Sequence, residues 1–133
     1  MARAWRYWLE DIIEAIREIQ TYTEGMTLEQ FTADQRTKRA VAYCFIIIGE
    51  AAKQLPEGVI AQHPHVPWAK MRAMRNVLVH EYPWMNANIL WDTATLNLPP
   101  LLPVLEHILA NTPDETTNDE TTNDETTDND LPL

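Results

Sequence analysis

From Trp5 to Ile19, the residues Trp5, Trp8, Leu9, Ile12, Ile13, Ile16 and Ile19 recur at intervals of three and four. At 3.6 residues per turn this spacing makes one apolar stripe along a helix, with Glu10, Asp11, Glu14, Arg17 and Glu18 on the other side. Such a helix must bury its stripe against another element. The rest of the chain offers only helices as partners. It has no alternating apolar–polar run and only three glycines among 133 residues, so there is no case for strands.

The helix boundaries are written in capping and breaking residues. Thr23-Glu24-Gly25 ends the first helix. Thr27-Leu28-Glu29-Gln30 has the spacing of a capping box and predicts a short helical turn carrying Phe31. Asp34 is placed to cap a long helix running to about Leu55. Its run Val41–Gly49 is apolar nearly all round, which predicts the most buried helix of the fold. Pro56, Gly58, Pro64 and Pro67 make 56–67 a loop with one turn near 59–62. Pro67 suits the first turn of a helix from Trp68 to about His80, and Pro83 ends it. Asn86 caps a further helix carrying Ile89, Leu90, Thr93 and Leu96–Leu98. Pro99, Pro100 and Pro103 break or kink it before a last segment, Leu101–Leu109. The expectation is an all-α bundle of four main helices plus short turns.

Residues 111–133 read differently. From Pro113 an Asp-Glu-Thr-Thr-Asn motif repeats every five residues without an aliphatic or aromatic side chain. Such a composition cannot bury enough surface to offset chain entropy, so a helical domain over 1–110 and a disordered acidic tail over 111–133 are expected. The division changes the charge argument. The whole chain has 20 acids against 10 bases, a net of −10; eight acids and no base lie in the tail, which leaves the body at −2. A near-neutral body does not exclude nucleic acid. Between Gly58 and His80 there is no acid, while Lys70, Arg72 and Arg75 fall there with His63, His65 and His80. The single cysteine, Cys44, excludes an intrachain disulfide, and no apolar run approaches a membrane span. A soluble protein of a reducing cytoplasm is expected.

The residues with chemistry lie in that acid-free window and just past it, in Arg75-Asn76-Val77-Leu78-Val79-His80-Glu81-Tyr82. Arg is a permanent phosphate-binding cation, His exchanges protons near neutrality, and Tyr carries a hydroxyl that can be modified. Together they suit phosphodiester chemistry on RNA. Arg75 and Tyr82 are seven apart and nearly eclipsed on a helix, whereas His80 lies about 140° round from Arg75. Arg72 shares the side of Arg75. Asn76 is polar where packing alone would favour an aliphatic residue, and it could orient either Arg75 or His80 through a hydrogen bond. Glu50, just after the apolar run, is either a carboxylate at a half-buried edge or a group that orients Arg75 or His80. His63 and His65, separated by Pro64, read as loop residues rather than metal ligands, and His107 as a surface residue. Five tryptophans suit core packing, but Trp68 and Trp84 flank the motif helix, where one could line a dimer seam or stack a base.

These stretches have a family likeness. Trp8-Leu9-Glu10-Asp11-Ile12, Tyr22-Thr23-Glu24-Gly25, Ile47-Ile48-Gly49-Glu50-Ala51-Ala52-Lys53, Val66-Pro67-Trp68, Met74-Arg75-Asn76, His80-Glu81-Tyr82, Ile89-Leu90-Trp91 and Leu98-Pro99 occur in this order. Over about residues 5–110 the chain resembles the HepT family of HEPN-domain toxins. The resemblance implies a HEPN-type helical bundle and the toxin of a two-gene, type VII-like toxin–antitoxin system. It implies a homodimeric, metal-independent endoribonuclease without a cofactor, with Arg75 and His80 catalytic and with Arg72, Asn76 and Glu50 in support. It also implies an antitoxin partner, the minimal nucleotidyltransferase MntA, which transfers AMP to the tyrosine at position 82. Pro83, the Pro99-Pro100 pair and the acidic tail depart from the family pattern; Pro83 bears on the local geometry of Tyr82. A non-catalytic helical subunit that only partners a nucleotidyltransferase is the alternative.

Overall fold

The computed structural model of the protein describes residues 3–81 and 86–112, with the backbone alone at 79–81. Expectations for Tyr82, Pro83, Trp84 and the tail from Pro113 onward lie outside the described residues. The elements are α1 (Trp5–Thr23), α2 (Leu28–Ala33), α3 (Gln35–Lys53), α4 (Glu57–Gln62), α5 (Trp68–Glu81), α6 (Ala87–Asp92) and α7 (Leu101–Ala110). The described residues form an all-α bundle. The order of the caps is the expected one, and 56–67 holds a short helix rather than a single turn.

Each boundary has a physical cause. Gly25, at φ +76°, takes the left-handed conformation that lets the chain turn after α1. Thr27 and Gln30 form the reciprocal capping box of α2: the Gln30 amide donates to Thr27 Oγ1 at 3.1 Å, and the Thr27 amide to Gln30 Oε1 at 2.9 Å. Asp34 accepts from the Thr37 amide at 3.0 Å and the Thr37 hydroxyl at 2.9 Å. These bonds, the backbone one foremost, hold its carboxyl below its ordinary value. The helix begun by Asn86 does not run straight to Leu98. It widens at Thr93–Asn97 into a π turn, where the Leu98 amide donates to the Thr93 carbonyl at 2.9 Å. Leu98 is the last donor before Pro99 and Pro100, which have none. Pro103 is tolerated because it lies in the first turn of α7, where a missing N–H has no partner to lose.

Helix α3 is central, packed against α1 on one side and α5 on the other, and α7 covers α1. Leu9, Ile12, Ile16 and Ile19 of α1 meet a core shared with Val41, Cys44 and Ile48 of α3. Burial of α3 nonetheless leaves one strip open, although Val41–Gly49 reads as apolar nearly all round: Tyr43 within that run is 64% exposed. Trp68 packs in the core, as the tryptophans were expected to: it is buried, and its indole N–H donates to the His63 carbonyl at 2.9 Å. Cys44 is buried with its sulfur 3.6 Å from a Glu18 carboxylate oxygen; burial first, and that carboxylate second, push the thiol up to about 12.

Helices α3 and α5 approach closely at Gly49. A Cβ built there would lie 2.7 Å from the backbone nitrogen of Arg75 and 2.8 Å from its Cβ. Neither atom is the end of a flexible side chain, so the helices touch backbone to backbone. Gly49→Ala is expected to lower stability by about 1–3 kcal/mol through overpacking, less the roughly 1 kcal/mol that Ala gains over Gly in a helix. Gly58→Ala, in α4 with open space around the added methyl, should be neutral or stabilising. Urea unfolding of the two variants checks the opposed signs. The Asp34 cap gives a second expectation. Its folded pKa is depressed, so its contribution is full above the unfolded value of 3.8 and is lost as pH falls through the lower folded value. Asp34→Ala should lower the thermal midpoint at pH 7, and the gap to the parent should begin to close only below about pH 4. A gap that stays constant down to pH 2 would count against the cap.

Candidate functional site

Among the described side chains of α5, the buried ones are Trp68, Met71 and Leu78. At helical spacing, Arg75 fills the missing place in that stripe. An arginine can stand in a packing position here because Gly49 opposite it has no side chain. Its backbone is fixed against α3 while its guanidinium reaches the surface, where the side chain is 38% exposed.

Two groups set the direction of that guanidinium. Nε donates to Glu50 Oε2 at 2.8 Å, and Nη1 donates to Asn76 Oδ1 at 3.0 Å. Lys53 Nζ lies 3.9 Å from the same Glu50 oxygen. Ion pairs this exposed add little to stability, so their effect is orientation. The remaining N–H groups of Arg75, both of those on Nη2 included, have no partner among the described residues and form a fork that suits phosphate oxygens.

The sequence left open whether Glu50 and Asn76 serve Arg75. Both do. Asn76 spends its carbonyl oxygen on Arg75; its relation to the His80 side chain lies outside the described atoms. His80 is within the helical backbone of α5, which continues to Glu81. By register Arg72, Asn76 and His80 follow one another at intervals of four on one flank of the helix. Arg72 has an acidic partner of its own, Glu57 of α4, at 3.9 Å. Sequence reasoning missed the part played by Gly49. The signal was a glycine inside a long helix, where it costs about 1 kcal/mol against alanine unless something needs the space.

On the other flank of α5, Phe45, Met74, Val77, Leu78, Ile89 and Leu90 line a shallow apolar hollow of about 120 Å³. Val77 is 46% and Ile89 57% exposed beside it. A larger cleft of about 690 Å³ lies between α1 and α7, but Glu10, Glu14 and Glu106 line it with Arg6 and Arg17, so it repels phosphate as much as it attracts it. His63 and His65 pack edge to face at 6.1 Å in their loop, and His107 is exposed on α7 beside Asn111. No helix among the described residues is long and apolar enough to cross a membrane.

With this geometry in hand, comparison with known proteins places the chain. The family described as HepT-like ribonuclease matches residues 12–108. A protein of Thermococcus cleftensis named "Probable ribonuclease HepT" is 39% identical over 101 residues, covering 76% of this chain and 92% of that one. A protein of Methanocaldococcus jannaschii that carries an RNase name is 36% identical over 113 residues, covering 85% of this chain and 93% of its own. Another, from Caldanaerobacter subterraneus, is 35% identical over 104 residues, covering 78% and 93%. No solved structure matches the chain. The family match spans the α3–α5 contact and both motif residues Arg75 and His80, and on that ground the chain belongs to the HepT-like ribonuclease family.

Proposed function

We propose that the protein is an endoribonuclease that acts without a metal ion, as the toxin of a pair whose antitoxin is an MntA-type nucleotidyltransferase. The observation that carries this reading is Arg75 held by Glu50 and Asn76 on the helix that bears His80, with part of its fork left open. RNA brings its own nucleophile, the 2′-hydroxyl. Neutral His80 takes the 2′ proton, O2′ attacks phosphorus, and the bond to O5′ breaks. Arg75 meets the charge that builds on the non-bridging oxygens. A second proton donor, His80 of the partner subunit, protonates the leaving O5′. The products are a 2′,3′-cyclic phosphate and a 5′-hydroxyl. The exposed apolar residues Val77 and Ile89 beside the α5 hollow supply a face on which two copies can meet.

Silencing follows from the same charges. The Tyr82 phenolic oxygen attacks the α-phosphorus of ATP on the antitoxin and pyrophosphate leaves. The AMP so attached puts a negative phosphate two residues after His80, where it competes with substrate for the basic groups.

Cleavage of RNA by the purified protein is expected to survive excess chelator. His80→Ala and Arg75→Ala should each lower it about 10²–10⁴-fold. Full activity of His80→Ala, or loss of activity in chelator, would sink the mechanism. Glu50→Ala should lower kcat about tenfold or more with little change in unfolding temperature, and Glu50→Gln, which keeps an acceptor for Arg75 Nε, should recover part of it. For the off-switch, the wild type incubated with antitoxin and ATP should gain one AMP by mass spectrometry and lose activity. Tyr82→Phe should do neither; a silenced, adenylylated Tyr82→Phe protein would refute that site.

A further inference from the structure

We propose that the N-terminal half of α3 is a track for single-stranded RNA, in which Tyr43 stacks a base beside the cleavage point and Arg39 and Arg36 hold the backbone beyond it. The inference rests on the ribonuclease reading and adds to it the surface that positions the strand. Arg36, Arg39, Tyr43, Ile46, Glu50 and Lys53 follow one another at alternating intervals of three and four, which is one line along the helix. Glu50 in that line is the residue that holds Arg75 at 2.8 Å, so the line runs into the candidate site rather than past it.

Within the apolar run of α3, exposure singles out Tyr43. Its neighbours Val41, Cys44, Phe45 and Ile48 are buried, whereas it is 64% exposed. Packing does not account for an aromatic ring so placed, and a ring standing free on a basic surface is a platform on which any base can stack. Arg36 and Arg39 are exposed as well, and neither forms an ion pair among the described residues. Asp34, the acid closest to them in sequence, has both carboxylate oxygens engaged by Thr37 and feels the charge of Arg36 without pairing to it.

The height of Tyr43 is fixed by the helix contact. Gly49 lies against Arg75, and Phe45 and Leu78 line one hollow, so α3 and α5 run antiparallel. Six residues back from Gly49 is Tyr43; six forward from Arg75 is Glu81. At about 1.5 Å per residue Tyr43 therefore stands level with the last turn of α5, which carries His80. Arg39 and Arg36 lie about 6 and 10 Å further along. A strand whose phosphate meets Arg75 and His80 can lay its next base on Tyr43 and its following phosphates on the two arginines.

The test uses the full chain carrying His80→Ala, which binds without cutting, and a fluorescent 12-nucleotide single-stranded RNA. Adding Tyr43→Ala should raise Kd about tenfold, within the range seen for loss of one stacked base, while Tyr43→Trp keeps affinity. Arg36→Ala and Arg39→Ala should each reduce the slope of log Kd against log salt by about 0.7. In the cleaving protein, Tyr43→Ala should raise KM far more than it lowers kcat. An unchanged Kd in Tyr43→Ala overturns the track and leaves the cleavage reading standing; a wild type that neither binds nor cuts RNA overturns both. Light scattering covers the rival occupant: if Tyr43→Ala halves the molar mass and binding falls only through that dissociation, the ring belongs to an interface between copies and the track is wrong.

Discussion

The backbone contact of α3 with α5 at Gly49 governs the rest of the structure. Helices packed through ordinary side chains sit 8–10 Å apart. A position with no Cβ, facing the backbone of Arg75, lets backbone meet backbone there. The close approach fixes the height of α5 against α3, and so decides which side chains can meet across it. Glu50 follows Gly49 in sequence, just as Asn76 follows Arg75. The residue pair that makes the contact is therefore flanked by the two residues that hold the guanidinium. Core packing and site geometry are set by one crossing.

That arrangement resolves a conflict in the chain. A stripe position on a packed helix normally demands an apolar residue, and a buried arginine is costly without compensation. Here the stem of Arg75 occupies the stripe and its charged end escapes to the surface, where Glu50 meets it. The carboxylate lowers the local positive charge, which by itself weakens attraction to phosphate. It also removes the freedom of a long side chain, so less orientation remains to be lost on binding. With Lys53 near the same oxygen and Arg72 one turn away, the surface stays basic enough for an anion.

Much of the fold was legible in short-range chemistry. The Thr27–Gln30 box, the Asp34 and Asn86 caps and the break at Pro99–Pro100 each act within a few residues, and each is found where the sequence puts it. Glu50 was legible as a partner of Arg75 only as an option, because a hydrogen bond between α3 and α5 depends on how the helices cross. The solvent side of the Val41–Gly49 run was hidden for a related reason. Hydropathy records what a side chain prefers, not what lies opposite it. Among the described residues no helix covers Tyr43, which stands in solvent, while Trp68, on the flank of the motif helix, is used to seal the loop at His63. The π turn at Thr93–Asn97 was invisible because the prolines only announce that a helix must stop, not how its last turn adjusts.

The angle between the motif residues bears on why the proposed site would need two copies of the chain. Displacement at phosphorus is in line: the attacking O2′ and the leaving O5′ lie on opposite sides of the atom. One must lose a proton while the other gains one. A single imidazole on one helix can approach one of these oxygens but not both in the same step. Nor does Arg75 serve as the second proton carrier, since its guanidinium stays charged. Five residues apart, Arg75 and His80 lie about 140° round an ideal helix from one another, so one helix does not present both on a single face. A two-fold axis beside α5 would bring a second imidazole to the far side of the phosphate without any further residue in the sequence. It would also set two arginine forks around one phosphorane, where each alone meets only part of the charge.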